Sequence, residues 1–160
     1  MSVRCVNAGS CHFVQDDAGG QRVRGVRDDI DMGEYHWPPQ YDPDDPVWLK
    51  VVCLIAHLPG AYTEPTWGSL TLRVNRKLFA WCKGGLNDAI YTIVFKPNPD
   101  ELPFLKADQR FRPAPHFTHW LALDLAEDWD SVEVQELLTD SYLLVAPKRL
   151  SQLVHQPGLP

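Results

Sequence analysis

Five basic residues in the middle of the chain could bind an anionic partner. They are Arg73, Arg76, Lys77, Lys83 and Lys96. The first four lie within residues 65–87, a stretch that contains no acidic residue, although the whole chain carries a net charge of −6. Basic side chains on an antiparallel hairpin can contact the phosphates of a nucleic acid. The same pattern also suits a solvated sheet face with ordinary surface ion pairs, and the sequence leaves both interpretations open.

Three tryptophans close to the basic residues or to the predicted sheet, Trp67, Trp81 and Trp120, could stack on nucleobases. The chain contains six tryptophans in all. In a domain of this size, such side chains more often pack in the core or at its rim. We therefore interpret these three mainly as packing residues, with base stacking as the alternative.

No residue pattern indicates catalysis or a metal centre. His116 and His119, with Asp124 beyond them, lie in and after a proline-containing segment that lacks metal-ligand spacing, and Cys5, Cys11 and His12 are equally poor candidates. No phosphate-binding loop, Gly-x-Ser-x-Gly or His-Glu-x-x-His pattern occurs. We expect a non-enzymatic protein that holds no metal and no cofactor.

Composition bounds the class of protein. The chain has 160 residues, of which 44% are hydrophobic, so one domain with a real core is expected. Its four cysteines are scattered and form no Cys-x-x-Cys pair, which favours a reduced, cytoplasmic protein. No segment approaches the roughly 20 apolar residues that span a bilayer. We expect a soluble protein with no membrane association.

Three segments are predicted along the chain. Residues 1–41 read as a loose N-terminal extension, 42–150 as the folded domain and 151–160 as a C-terminal tail. The domain begins with a helix, because Asp45 suits an N-cap, Pro46 suits the first helical position and Pro59 with Gly60 gives a stop.

A β-hairpin follows, with a two-residue turn predicted at Asn75 and Arg76. This register places Leu72 opposite Phe79, and Lys77 falls on the same face, where its stem can reach the rim. The predicted core face holds Leu70, Leu72, Val74, Lys77, Phe79 and Trp81, and the opposite face holds Thr71, Arg73, Leu78, Ala80 and Cys82. An apolar patch on that opposite face, consisting of Leu78, Ala80, Cys82, Ile90 and Val94, could suit a protein or a small ligand.

The remaining elements complete a two-layer α+β sandwich. A strand at 89–96 precedes a short helical turn that Asn98 caps, then an edge-like segment, a strand near 119–125 and a last helix from Asp130. Ser141 lies on the buried stripe of that helix without an adjacent base, so its hydroxyl is expected to bond to the preceding helical turn. The predicted order is α-β-β-β-α-β(β)-α, an antiparallel sheet packed by helices on one face and open on the other.

The order of these motifs from about residue 43 to 150 resembles the MmcQ/YjbR family. The matching pieces are Trp67-Gly68, Leu72-Arg73-Val74, Lys77-Leu78-Phe79-Ala80, Val94-Phe95-Lys96, His119-Trp120 and Ser141-Tyr142. The resemblance implies a sandwich of the secretion-chaperone-like class and DNA binding. We expect DNA to bind through the basic hairpin with little sequence specificity. The alternative is a binding module for a protein or a small ligand on the exposed sheet face. Convergence of the basic side chains on one surface would favour DNA binding over the binding module.

Overall fold

The computed structural model describes residues 2–5, 11–14, 39–85 and 90–154. In this part of the chain, six strands form an antiparallel sheet in the order β3-β4-β5-β6-β8-β7, and two further strands, β1 and β2, pair with each other. The strands are β1 (Ser2–Cys5), β2 (Cys11–Val14), β3 (Ala61–Thr66), β4 (Ser69–Val74), β5 (Lys77–Lys83), β6 (Tyr91–Phe95), β7 (Phe111–Pro113) and β8 (Leu121–Leu125). The predicted α+β class with an antiparallel sheet is confirmed.

Within the described ranges, four helices pack against one face of the six-stranded sheet. They are α1 (Pro46–Ile55), α2 (Leu102–Ala107), α3 (Ser131–Val145) and α4 (Lys148–Val154). Apolar side chains of all four contact a single core that includes Leu72, Phe79 and Phe95 of the sheet. We call the side of the sheet away from these helices the outer face.

Side chains at the first turn fix α1 on the sheet. The Oδ1 atom of Asp45 accepts a hydrogen bond from the backbone N–H of Val47 at 2.9 Å, which confirms the predicted N-cap. Its Oδ2 atom accepts a bond from the Tyr91 hydroxyl at 2.7 Å. The indole Nε1 of Trp48 donates to the carbonyl of Gly84 at 3.2 Å. The start of α1 is thereby tied to β6 and to the end of β5.

The β4–β5 hairpin has the predicted turn but not the predicted register. Asn75 and Arg76 have φ values of 47° and 65°, and Val74 pairs with Lys77. The ladder then shifts, because Arg73 lies opposite Leu78 whereas the preceding Leu72 lies opposite Ala80. Phe79 is therefore the extra residue of a β-bulge, and the predicted pairing of Leu72 with Phe79 is wrong.

The bulge reverses the faces predicted for the second half of β5. Ala80 and Cys82 are buried in the main core under the helices, whereas Trp81 packs on the outer face. Phe79 remains fully buried, as predicted. The predicted outer patch is therefore wrong, since Ala80 and Cys82 point the other way and Val94 is itself buried. One inserted residue is sufficient to reverse the faces of all the residues after it, because side chains alternate between the two faces along a strand.

Several elements lie outside the predicted order. β3 is an additional strand before the hairpin, and β7 is the optional edge strand of the predicted order. α4 is an additional helix after the one predicted to be last, and it crosses the predicted domain boundary at residue 150. Within the predicted N-terminal extension, β1 pairs with β2. Tyr41 is buried in the core, and the N–H of Gln40 donates to the carbonyl of Gly68 at 2.7 Å. The folded domain thus includes residues 40 and 41. Within the described ranges, no helix has the length and apolar character needed to cross a membrane.

Candidate nucleic-acid interface

Arg73 is the least available of the five predicted phosphate contacts. Its Nε atom lies 3.2 Å from a carboxylate oxygen of Glu64, and only 18% of its side chain is exposed. The guanidinium also donates to the hydroxyls of Thr71 and Thr66, at 3.2 and 3.1 Å. The acid-free stretch begins one residue after Glu64, which lies on β3 and pairs with Thr71 across the strands. The ion pair between Arg73 and Glu64 was not predicted from the sequence, because β3 was not predicted.

The other four basic residues are distributed along the sheet. Arg76 and Lys77 are exposed at the tip of the β4–β5 hairpin, and Lys83 lies at the opposite end of β5. Lys83 is six positions beyond Lys77 along the strand, which corresponds to a distance of roughly 20 Å. Lys96 follows β6 beside the bulge and is half-buried. None of these four forms an ion pair with another residue in the described ranges. The four side chains are scattered over the two ends of β5 and the end of β6, so the convergence on one surface that would favour nucleic-acid binding is not found.

Four aromatic rings form a continuous row on the outer face. Trp67 contacts Trp81 with ring centroids 5.9 Å apart, Trp81 contacts Phe117 at 5.6 Å, and Phe117 contacts Trp120 at 5.0 Å. We call Trp67, Trp81, Phe117 and Trp120 the aromatic row. Its last three members pack on Val94, Ala114 and Ala122, which form a second, smaller core. Phe117 was not predicted here, because it reaches the sheet from an irregular segment.

Lys83 places a positive charge next to the aromatic row. Its Nζ atom lies 4.8 Å from the ring centroid of Trp81, in the range of a cation–π contact. Trp67 belongs to the turn between β3 and β4, at the same end of the sheet as Lys83, and 52% of it is exposed. The structure therefore brings together Trp67, Trp81, Trp120 and Lys83 from the residues singled out in the sequence. Arg76 and Lys77 lie apart from this group.

Comparison with known proteins gives the family. The family model described as YjbR matches residues 56–144, more than half of the chain. The chain belongs to the YjbR family. A search of curated proteins gave no match. The resemblance noted in the sequence is confirmed.

Two solved structures are similar to this YjbR-family chain. One is a Deinococcus radiodurans protein described as having the domain DUF419, with 20% identity, a TM-score of 0.55 and coverage of 76% of this chain and 93% of its own. The other, a protein from Pseudomonas syringae, has 20% identity and a TM-score of 0.49, and the match covers 59% of this chain and 94% of its own. The first of these supports the fold, and at this identity it supports nothing about activity.

The Ser141-Tyr142 pair of the YjbR match is structural. The Ser141 hydroxyl donates to the carbonyl of Phe79 at 2.5 Å and accepts from the N–H of Lys96 at 3.0 Å. It therefore bridges the bulge in β5 to the end of β6, and the predicted bond to its own helical turn is wrong. The Tyr142 hydroxyl donates to the carbonyl of Pro59, and its ring packs edge-on against Phe79 with centroids 5.6 Å apart.

Among the described residues of the YjbR domain, no metal site is formed by the other reactive side chains. Within the described residues, no group of three His, Cys, Asp or Glu side chains could hold a metal ion. Complete burial raises the pKa of the Cys82 thiol well above its usual value, so this thiol is unreactive. Cys53 is disulfide-bonded, and the expectation of reduced cysteines does not hold there. His116 and His119 are exposed on the segment that carries Phe117.

Proposed function

We propose that this YjbR-family protein is a non-enzymatic nucleic-acid-binding protein that contacts the phosphate backbone through basic side chains at the two ends of β5. The observation that carries the proposal is the distribution of charge. Arg76 and Lys77 lie at the start of β5 and Lys83 lies at its end. None of the three forms an ion pair with an acidic residue in the described part of the chain. Phosphate contacts from basic side chains supply most of the affinity in binding that is not specific for sequence.

One part of the helix layer, around α3, is acidic. Between residues 113 and 146 the chain has seven acidic residues and no Lys or Arg. Most of them lie on or just before α3, in the helix layer. Burial raises the pKa of the Asp140 carboxyl above its usual value, with a further contribution from Glu136. We expect a nucleic acid to avoid the region around α3 and to bind elsewhere on the surface, despite the acidic net charge.

Sequence preference is expected to be slight. All four described helices contact the core on the inner face, so the outer face presents strands and turns and offers no helix for insertion into a major groove. Arg73 is held by Glu64 and Lys96 is half-buried at the end of β6, which leaves Arg76, Lys77 and Lys83 as about three backbone contacts. Three contacts predict that log affinity falls against log salt with a slope of about −2 to −3.

Fluorescence anisotropy with labelled single- and double-stranded DNA across a salt series tests this proposal. The charge-reversed variant Arg76→Glu, Lys77→Glu, Lys83→Glu is expected to lose binding at every salt concentration while it keeps the wild-type thermal transition. A matched variant carries the same charge change on the helix layer, Lys106→Glu, Lys148→Glu, Arg149→Glu, and is expected to keep most of its affinity. Absence of binding by the wild-type protein, even at low salt, would reject the proposal in favour of a protein partner for the outer face.

A further inference from the structure

Trp67 has a backbone conformation that its residue type disfavours. It is the first residue of the two-residue turn between β3 and β4, with φ 51°, and Gly68 follows with φ 75°. These values are typical of a type I′ turn, whose first position favours Asn, Asp or Gly. A bulky residue with positive φ is an outlier, and such strain is found most often at functional sites.

Packing within the domain offsets little of this strain. Trp67 contacts Trp81 edge-on, and 52% of it remains exposed to solvent. An asparagine would fit the turn better, so the fold alone does not explain a tryptophan here. An exposed indole ring is, however, a surface on which a nucleobase can stack.

Trp81 provides a hydrogen-bond donor that lacks an acceptor. Its Nε1 atom is buried and meets no partner among the described residues. Buried donors are nearly always paired, so an unpaired one requires an explanation. Phe117 packs against the Trp81 ring, so an outside acceptor reaches this atom only when that contact opens. Nucleobases carry suitable carbonyl and ring-nitrogen acceptors.

We propose that Trp67 and Trp81 form a base-binding subsite for single-stranded nucleic acid. An unpaired base stacks on Trp67, and Lys83, 4.8 Å from the Trp81 ring, neutralises an adjacent phosphate. When Phe117 moves aside from the Trp81 ring, the same base accepts the Nε1–H of Trp81. This subsite rests on the proposed function and refines it, because the bases of a duplex stack on one another and leave no face for Trp67. The positive charge beside the rings favours a nucleotide over an apolar peptide.

The test compares single-stranded and duplex DNA under one salt condition. The probes are a fluorescein-labelled oligothymidine of about 12 nucleotides, within the usual site size for such proteins, and its duplex with oligodeoxyadenosine. The variants are Trp67→Asn, which suits the turn, and Trp81→Phe, which removes the donor. The control is Phe104→Ala, which removes an aromatic ring that is 78% exposed on α2, in the helix layer.

The wild type is expected to bind the single strand more tightly than the duplex. Trp67→Asn should weaken single-strand binding by about 5- to 100-fold, the range for loss of one stacked base, and change duplex binding less than about twofold. Trp81→Phe should weaken single-strand binding several-fold, and Phe104→Ala should change neither. The melting temperature of Trp67→Asn should equal or exceed that of the wild type, because the turn strain is relieved.

Two results separate failure of the subsite from failure of the proposed function. If the wild type binds DNA but Trp67→Asn binds the single strand equally well, or loses both probes to the same extent, the subsite is rejected and backbone binding stands. If the wild type binds neither probe, both proposals are rejected. A further check is tryptophan fluorescence, which should be quenched on addition of oligothymidine in the wild type and much less in Trp67→Asn.

Discussion

At the scale of single residues, Ser141 has the chemistry of a nucleophile but the surroundings of a structural group. Its hydroxyl is fully buried and lies between a carbonyl of β5 and an N–H of β6. Because of the bulge at Phe79, these two backbone groups lie outside the regular pairing of β5 with β6. The Ser141 hydroxyl provides each of them with a hydrogen-bond partner. No base touches Ser141, so activation of the oxygen has no route within the described structure.

We predict that Ser141→Ala destabilises the fold. The change leaves the Phe79 carbonyl and the Lys96 N–H without this partner, and each unsatisfied buried group costs about 1–3 kcal/mol, so a loss of about 2–6 kcal/mol is expected. Urea unfolding measures this. The control is Ser131→Ala at the first position of α3, which removes a half-buried hydroxyl that has no side-chain hydrogen bond among the described residues and should change stability by less than about 0.5 kcal/mol. Equal effects of the two substitutions would contradict the bridging role.

At the scale of elements, the signals that predicted structure correctly are local. Asp45 and Asp130 cap α1 and α3 as expected, because a capping side chain bonds to N–H groups two or three residues away. The turn at Asn75 and Arg76 is likewise set by its own two residues. Each of these features can be read from a short window of sequence.

The bulge could not be predicted in the same way. Its position depends on Ser141, which lies 62 residues from Phe79 and bonds to its carbonyl, and on β6. The pairing of Arg73 with Glu64 depends on β3, whose Pro65 weakens the pattern of a strand. The candidate site was predicted only in part for the same reason, because the contact of Trp81 with Phe117 joins residues far apart in the sequence.

The reversed faces of β5 give a test of the register. Ala80→Glu should cost about 3 kcal/mol or more, because it places an unpaired carboxylate in the core beside Leu72. Lys77→Glu, at the exposed start of the same strand, should cost less than about 0.5 kcal/mol. Thermal or urea unfolding of the two variants decides between registers, since a regular hairpin would place residue 80 on the outer face and tolerate both changes.

At the scale of the whole molecule, the two layers differ in charge. Lys83 on the outer face and Arg76 and Lys77 at the hairpin tip form no ion pair within the described residues, whereas the exposed acids Glu127, Asp128 and Glu136 lie on or just before α3. A domain of this size is roughly 25 Å across, so acids on one side act on a ligand at the other only through the long-range field. Salt shortens that range, from about 30 Å at 0.01 M to about 8 Å at 0.15 M.

This separation predicts a salt-dependent effect of the helix-layer acids on DNA binding. The variant Glu127→Gln, Asp128→Asn, Glu136→Gln should raise affinity for DNA about two- to fourfold at 0.01 M salt, because three distant repulsive charges are removed. At 0.15 M salt its affinity should equal that of the wild type, since the field no longer spans the domain. Anisotropy titrations at both concentrations measure this, with Lys83→Glu as a reference that weakens binding at each. An equal gain at both salt concentrations would mean that DNA touches the helix layer, and the outer face would then be the wrong interface.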